Sequence, residues 1–233
     1  MKNSWLSKNW LILCTGLLIG IAALILGALG NPGNMGFCIA CFLRDTAGSL
    51  GLHQAAPVQY FRPEIVGIIC GSLLAALITR EFKGRGGSAP AIRFLLGAFV
   101  MIGALMFLGC PLRMVIRLGG GDWNALVGLV GFICGILLGV VFLRRGFTLG
   151  RAYKQGRTEA AAFPVFYVLL FVLFLIVPAL FHLSEEGPGS MRAPIIASLI
   201  AGLAVGVFCQ RSRMCMVGGV RNAVMFKDFG LIA

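Results

Sequence analysis

Residues 9–43 read NWLILCTGLLIGIAALILGALGNPGNMGFCIACFL, and none of these residues carries a charge. A membrane-spanning helix needs about 20 consecutive apolar residues, so this stretch is too long to be one span. The part from Trp10 to Leu29 fits one span, and the glycines and the proline of residues 30–33 then end the helix. A short apolar segment follows at 37–43. We therefore expect a re-entrant half-helix after the break, because broken backbone at membrane depth must be buried in protein or line a cavity.

The composition of the whole chain extends this interpretation. Of the 233 residues, 59% are apolar and only 12% are charged, whereas soluble domains have about 25% charged residues. This excludes an ordinary soluble globular domain, and it excludes disorder, which needs low hydrophobicity. Further charge-free stretches lie at 65–79, 94–112, 123–143, 160–184 and 193–210. The sequence thus predicts an all-α, polytopic membrane protein with about six spanning helices.

The charge pattern predicts how the chain is oriented. A net charge of +12 would suggest nucleic-acid binding in a soluble protein. Here the basic residues cluster in the loops at 80–93 and 144–159, whereas the loop at 184–193 contains Glu185 and Glu186. Under the positive-inside rule, the two basic loops and the N-terminus face the cytoplasm and the 184–193 loop faces outside. The lipid bilayer is therefore an expected partner, and nucleic acid is not.

Two further segments combine a cysteine with a nearby arginine after a spanning helix. Span three ends in Gly109-Cys110-Pro111-Leu112-Arg113. Span six is followed by Arg213-Met214-Cys215, with Arg221 further along. Short segments interrupted by glycine or proline, in corresponding positions of a membrane protein, indicate the binding site of a transporter.

The first and third segments resemble each other. Both read apolar-Cys-x5-Arg-(Asp/Asn), with the cysteine at 38 or 215 and the arginine at 44 or 221. Five spans separate the copies, so they face opposite directions in the membrane, as inverted repeats do. We predict one membrane domain over 1–233. Its first repeat, 1–150, holds spans one to four and half-helices near 37–45 and 110–118. Its second repeat begins at 164–233, with spans five and six and a half-helix near 214–226.

The repeat also predicts where a partner of Cys110 should lie. With the same offset that partner falls near position 287, whereas the chain stops at Ala233. We therefore expect the second repeat to be truncated. The alternative is a naturally short protein that dimerises to supply the missing half.

Three motifs together point to a known family: Asn34-Met35-Gly36-Phe37-Cys38-Ile39-Ala40-Cys41, Gly109-Cys110-Pro111-Leu112-Arg113 and Arg213-Met214-Cys215. They resemble the motifs of the YeeE/YedE sulfur-transport membrane proteins. They are most similar to the YedE-like subset of selenium transporters associated with bacterial selenium metabolism, and the resemblance covers essentially the whole chain. It implies a bacterial inner-membrane protein that takes up thiosulfate along a central path of cysteines. Family members are longer and carry a further Gly-Cys-Pro-like motif in their second half.

The expected substrate-binding residues are Cys38, Arg44, Cys110, Arg113, Cys215 and Arg221. The physical case is most direct at Cys110, because Pro111 suits the first turn of a helix and the N–H groups of a helix start bind anions. Arg113 and Arg117 follow on the same helical face. An arginine in a bilayer is costly and usually marks a pathway, while a soft thiol suits terminal sulfur or selenium. The alternative is that both arginines extend to the membrane interface.

The Cys38-x-x-Cys41 spacing permits two other hypotheses. A zinc site needs four ligands, and the chain has only His53 and His182 as histidines, so we predict no metal. A thiol–disulfide oxidoreductase is a stronger alternative, because cysteines in this spacing often have a low pKa. A relay would require Cys38 and tolerate loss of Cys41, since the position aligned with Cys41 is Gly218.

The sequence therefore favours a transporter, and not an enzyme, that passes a small sulfur- or selenium-containing anion such as thiosulfate from cysteine to cysteine. It contains no nucleotide-binding Gly-x4-Gly-Lys-(Ser/Thr) motif, and no cofactor is predicted. A third hypothesis is a membrane docking subunit for a soluble sulfur-carrier protein, which would bind the basic loop at 144–157.

Overall fold

The computed structural model describes the backbone of residues 3–33, 35–87 and 89–231, and the side chains in these ranges from residue 9 onward. In chain order the α-helices are α1 (Asn3–Ala28), α2 (Ile39–Ser49), α3 (Pro63–Ile78), α4 (Pro90–Met106), α5 (Pro111–Gly119), α6 (Asn124–Arg144), α7 (Arg157–Ile176), α8 (Ile195–Ser212) and α9 (Met216–Phe226). Six stretches, built on α1, α3, α4, α6, α7 and α8, are long and apolar enough to cross a membrane. The prediction of an all-α protein with about six spans is confirmed.

Three short helices, α2, α5 and α9, follow breaks in the chain. They begin directly after Cys38, Cys110 and Cys215 and have 11, 9 and 11 residues. Each is shorter than the roughly 20 residues that a span requires. They lie where the sequence predicts half-helices, although α2 continues to Ser49.

The apolar stretch at 94–112 is not one helix. α4 ends at Met106 and α5 begins at Pro111. Leu108 between them has a φ of +56°, which a right-handed helix does not accommodate. Pro111 in turn lacks the N–H that a continuing helix would need. The break places Cys110 at a helix start.

α3 and α8 pack with their backbones in close contact. A Cβ at Gly67 of α3 would lie 2.6 Å from the Leu199 carbonyl oxygen of α8, and Gly202 and Gly206 on α8 face α3 in the same way. Small residues allow this approach, which membrane helices use to pack without a hydrophobic driving force. α1 packs against α8 as well, so α8 is central in the bundle.

The loops meet in two groups. The short strands β1 (Arg85–Gly86) and β2 (Tyr153–Lys154) pair antiparallel, which joins the two basic loops. Elsewhere His182 donates its N–H to the Ser49 carbonyl and Ser184 donates its N–H to the Gln59 carbonyl, both at 2.9 Å. α3 runs from the second group of loops to the first. The basic loops therefore lie at one end of α3, and the loop with Glu185 and Glu186 lies at the other.

A cluster of aromatic rings supports the segment between α2 and α3. Phe61 is fully buried; its ring stacks on Phe174 at 5.3 Å and on Phe171 at 6.2 Å between centroids. Such ring pairs add about 0.5–1.5 kcal/mol beyond the area they bury. This packing fixes the α2–α3 segment against α7.

Candidate anion-binding site

The start of α2 positions Cys38. Its backbone is extended (φ −85°, ψ 95°), and its Sγ accepts a hydrogen bond from the N–H of Cys41 at 3.4 Å. Just before it, Gly36 turns the chain with a φ of +46°, where a Cβ would lie 2.9 Å from the Ile116 side chain. A serine, threonine or aspartate oxygen normally fills this capping position. Here the helix start carries a soft sulfur acceptor instead.

The start of α5 brings Cys110 to the same place. Cys110 is the N-cap residue of α5, and its backbone N–H points at Cys38 Sγ at 3.5 Å. Its own Sγ lies 4.0 Å from the carbonyl oxygen of Phe37. The N-termini of α2 and α5 therefore meet at one sulfur. Free N–H groups and two positive dipole ends at one point favour a bound anion.

Arg113 adds a positive charge to this meeting point. Its guanidinium Nη1 lies 3.2 Å from Cys41 Sγ. A Cβ at Gly109 would lie 2.8 Å from Arg113 Cδ, so glycine lets the arginine chain fold back across the start of α5. Helical side chains lean toward the N-terminus of their helix, and this takes Arg113 toward α2.

The two sulfurs of α2 are in contact but not bonded. Cys38 Sγ lies 2.9 Å from Cys41 Sγ, and both residues are free thiols. The hydrogen bond from Cys38, together with the nearby Arg113 and Arg44 charges, lowers the pKa of Cys41 to about 6, although burial opposes this shift. Cys41 is therefore more acidic than an ordinary cysteine, and its sulfur faces an arginine.

The site is shielded from water. Cys38, Cys41, Phe37 and Phe42 are fully buried, and Cys110 is 8% exposed. Charge–charge interactions are stronger in such an environment than in water. A bound anion would thus interact with the N-termini of α2 and α5 and with Arg113, with little competition from water.

Sequence reasoning missed a buried ionic network one turn further along α2. Asp45 is fully buried and accepts from Arg44 at 2.7 Å and from Arg62 at 2.8 Å. Arg62, also fully buried, donates to the carbonyls of Pro188 and Met191. Paired buried charges of this kind are needed to avoid a large desolvation penalty. The network locks α2 to the loop before α8, and it engages Arg44, one of the expected substrate-binding residues.

The third segment repeats the local geometry of the first. Cys215 is the N-cap residue of α9, and its Sγ accepts from the N–H of Gly218 at 3.2 Å. The two helices have the same length, so the resemblance at Cys38 and Cys215 extends from sequence to hydrogen bonding. Cys215 is exposed, whereas Cys38 is buried.

The two arginines of the repeated pattern also match. Arg44 donates through Nε and Nη2 to Oδ1 of the next residue, Asp45. Arg221 donates through the same two nitrogens to Oδ1 of the next residue, Asn222. The structure thus places Arg221 and Cys215 together on α9, apart from the group formed by Cys38, Cys110 and Arg113.

An apolar groove lies near both places. Its volume is about 1310 Å³, and α1, α5, α6 and α9 line it. Its lining includes Gly36 and Ile116, near the Cys38 site, and Met214 and Met216, on either side of Cys215. Residues next to the first and third cysteine segments thus line one groove, although the lining in the described part of the chain is apolar and includes none of the candidate cysteines or arginines.

Arg117 does not share the role of Arg113. It donates to Asp122 at 2.7 Å and to the Phe107 carbonyl at 3.3 Å. The acidic residue that ends the loop thus holds Arg117 away from the cysteines. Sequence spacing alone places both arginines on the Cys110 face and does not show that Arg117 pairs with Asp122.

In the parts of the chain that the structure describes, no group of three or more His, Cys, Asp or Glu side chains is arranged so that it could hold a metal ion. His53 and His182 line a separate polar cavity of about 320 Å³, with Gln54 and Gln59. His53 Nε2 contacts the Arg44 carbonyl at 3.0 Å. The histidines therefore lie behind α2 and do not coordinate its cysteines.

Comparison with known proteins finds similarity to proteins of sulfur transport. The family model described as Sulphur transport matches residues 1–110, which include Cys38, Cys41 and Cys110. The Thiosulfate transporter TsuA of Escherichia coli (strain K12) is 30% identical over 135 residues, or 55% of this chain and 38% of the relative.

A second group of relatives matches a longer part of the chain. The H(+)/Cl(−) exchange transporter ClcA of Yersinia pestis is 26% identical over 189 residues, or 73% of this chain and 39% of the relative. ClcA of Yersinia pseudotuberculosis serotype O:3 (strain YPIII) has the same values. The chain thus spans less than two fifths of the length of the curated relatives it matches. No solved structure matches it. The chain is a multi-pass membrane protein that is similar to transporters, and its first 110 residues match the Sulphur transport family model.

Proposed function

We propose that the protein transports a small sulfur-containing anion, such as thiosulfate, across the bacterial inner membrane. One observation carries this proposal: two helix N-termini and Arg113 converge on the buried sulfurs of Cys38 and Cys41. Helix starts and arginine bind anions, and thiols suit a polarisable terminal sulfur. The match to the Sulphur transport model and the similarity to a protein named thiosulfate transporter support the same substrate class.

In the proposed mechanism the anion passes between cysteines without covalent chemistry. It enters the Cys38–Cys110 site, where Arg113 balances its charge and S–H groups donate to its terminal sulfur. It then passes to Cys215, where Arg221 provides the second charge. Arg44 assists at the first site while it stays paired with Asp45.

Anions that contain selenium are an alternative substrate within this proposal, because selenium is even softer and more polarisable than sulfur. Uptake of radiolabelled thiosulfate, selenite and selenide into cells that express the protein would distinguish them. We expect thiosulfate to accumulate above the level of cells without the gene. Accumulation of selenium tracers alone would assign the protein to selenium, and accumulation of none of the three would contradict the proposal.

The orientation and partners belong to the same proposal. With the paired basic loops at the cytoplasmic side, the N-terminus is cytoplasmic and the 184–193 loop is external. The α2 and α9 segments are then the outer and inner members of an inverted repeat, which their matching N-cap sulfurs support. A soluble sulfur-carrier protein would receive the anion at the basic loop of residues 144–157.

The second candidate function is a membrane thiol–disulfide oxidoreductase. The 2.9 Å separation of Cys38 and Cys41 sulfurs favours it, since the two thiols could form one disulfide and pass two electrons and two protons to a partner disulfide. In that case both sulfurs are indispensable. In the transport proposal, only Cys38 of the two cysteines is indispensable.

A further inference from the structure

Glu64 is a buried acid that the transport site does not use. It lies in the first turn of α3 and is fully buried. Its Oε1 accepts from Asn31 Nδ2 at 2.8 Å and from Ser198 Oγ at 3.0 Å. Within the described residues, Glu64 Oε2 is the buried side-chain atom that has no hydrogen-bond partner. An ionisable residue inside a membrane protein is by default a candidate functional residue.

The other buried acid, Asp45, differs from Glu64 because its negative charge is balanced by ion pairs. Asp45 is equally buried, and both of its oxygens are engaged by arginines. Among the described side chains, Glu64 forms no ion pair with a nitrogen within 4 Å. A buried carboxylate oxygen without a partner is costly, and a proton on that oxygen removes the charge.

The charged and titratable groups around Glu64 come from two segments, one before α3 and one before α8. Tyr60 and Arg62 precede α3, and Arg192 precedes α8. Tyr60 interacts electrostatically with Glu64 and with both arginines. Arg62 is held by Asp45, and the Arg192 guanidinium lies over the Tyr60 ring at 5.2 Å. The nearby cations are thus already engaged, which leaves Glu64 with two neutral donors.

Glu64 also joins the two parts of the proposed pathway. Asn31 lies between α1 and α2, seven positions before Cys38, and also accepts from the Ala193 N–H at 2.9 Å. Ser198 lies on α8, the helix that leads to Cys215. A charged Glu64 accepts strongly from both sides and holds them together. A protonated Glu64 accepts more weakly, so the link between the two parts depends on its charge.

We infer that Glu64 is the proton-carrying group that couples anion entry to proton entry. This inference rests on the proposed transport function. An inside-negative potential opposes entry of an anion, and each proton that enters with the thiosulfate dianion lowers the net charge that is moved by one. The proton binds to the unpartnered oxygen of Glu64 on the outer side as the anion enters, and it leaves to the cytoplasm as α8 and the α2 segment rearrange.

The test uses the purified protein in lipid vesicles with thiosulfate as the probe. For one proton per anion and no membrane potential, a pH gradient of one unit drives about tenfold accumulation. In Glu64→Gln the amide keeps an oxygen for Asn31 and Ser198 but cannot carry a proton. We expect Glu64→Gln to lose this accumulation and to keep thiosulfate counterflow, in which labelled and unlabelled anions exchange at equal pH. Glu186→Gln, an exposed acid on the outer loop, is the matched control and should behave like the wild type.

A pH dye trapped inside the vesicles gives an independent reading. Wild-type protein should acidify the interior when thiosulfate is added outside. Absence of acidification, or gradient-driven accumulation by Glu64→Gln at the wild-type level, would overturn the inference. If Glu64→Gln loses both counterflow and accumulation, Glu64 is a structural residue, and this result would also overturn the inference. If the wild type itself shows no counterflow of thiosulfate, the proposed function fails and not the coupling alone.

Discussion

Arg113 Nη1 lies 3.2 Å from Cys41 Sγ, although the two residues are 72 positions apart in the chain. The contact depends on Gly109, which lets the arginine side chain fold back over the start of α5. In the described residues, this contact joins α5 to α2, the two helices whose N-cap cysteines lie next to each other. An anion that binds beside Cys38 must therefore share or replace this contact.

The first prediction concerns the ionisation of Cys41. Because its pKa is lowered to about 6, the thiolate should persist at neutral pH and should be lost as the pH falls through 6. The rate of alkylation by a small reagent, followed on the Cys41 peptide by mass spectrometry, should show a midpoint near that value. Arg113→Leu should raise the midpoint, since it removes one cause of the lowered pKa.

Arg117→Leu is the matched control for this measurement. Arg117 lies one turn further along α5 and is paired with Asp122, so its loss should leave the Cys41 midpoint unchanged. Equal shifts in both variants would show that Arg113 has no particular effect on the sulfur.

The second prediction separates transport from redox catalysis. Cys38 Sγ receives two backbone N–H groups, from Cys41 and Cys110, whereas Cys41 Sγ mainly faces Arg113. Cys38→Ala should therefore abolish thiosulfate uptake, and Cys41→Ala should retain it because the backbone N–H groups of residues 41 and 110 still meet at Cys38. Cys134→Ala, at an exposed position on α6, serves as the control. Equal loss in Cys38→Ala and Cys41→Ala, with a disulfide between the two in the isolated protein, would favour the oxidoreductase.

The third prediction concerns topology. Since β1 and β2 join the two basic loops, both loops should be cytoplasmic and the 184–193 loop should be external. Single cysteines placed at 151 and at 186 in a cysteine-free variant can be labelled with an impermeant maleimide in intact cells. We expect labelling only at position 186. Labelling of position 151 from outside would contradict the orientation.

The fourth prediction concerns the buried network of α2. Arg62→Leu leaves Asp45 buried with only Arg44 as partner, and removal of one member of a buried pair costs about 3–5 kcal/mol. The melting temperature in detergent should drop markedly. Arg213→Gln breaks an ion pair with Glu81 whose arginine side chain is 77% exposed, and such pairs contribute little. Equal melting temperatures for the two variants would show that the network does not stabilise the fold.

The helices and the cysteine segments could be predicted from the sequence because their signals are local. Charge-free stretches mark the spans, and Gly109 with Pro111 marks a helix start. The close approach of Cys38, Cys41, Cys110 and Arg113 needed the structure, because 72 positions separate the contacting residues.

The burial of Arg62 and Glu64, at the start of α3, could not be predicted for a different reason. Arg62 and Glu64 flank Pro63 at the edge of a span, a position where charged residues usually reach solvent. Only long-range packing shows that Arg62 meets Asp45 and that Glu64 meets Asn31. The one available signal was the run Arg-Pro-Glu directly before an apolar stretch, which marks a helix start but not burial.

The most direct test of the proposed site is thiosulfate uptake by Arg113→Leu and Cys110→Ser at equal expression. A charge-assisted hydrogen bond contributes about 1.5–3 kcal/mol, so Arg113→Leu should lower uptake roughly 10- to 100-fold, and Arg113→Lys should lower it less because the charge remains. Cys110→Ser replaces soft sulfur by oxygen and should reduce uptake while the melting temperature stays close to wild type; Cys134→Ser is its control. If Arg113→Leu and Cys110→Ser both transport thiosulfate at the wild-type rate, the cysteine site is not the binding site and these residues only stabilise the fold.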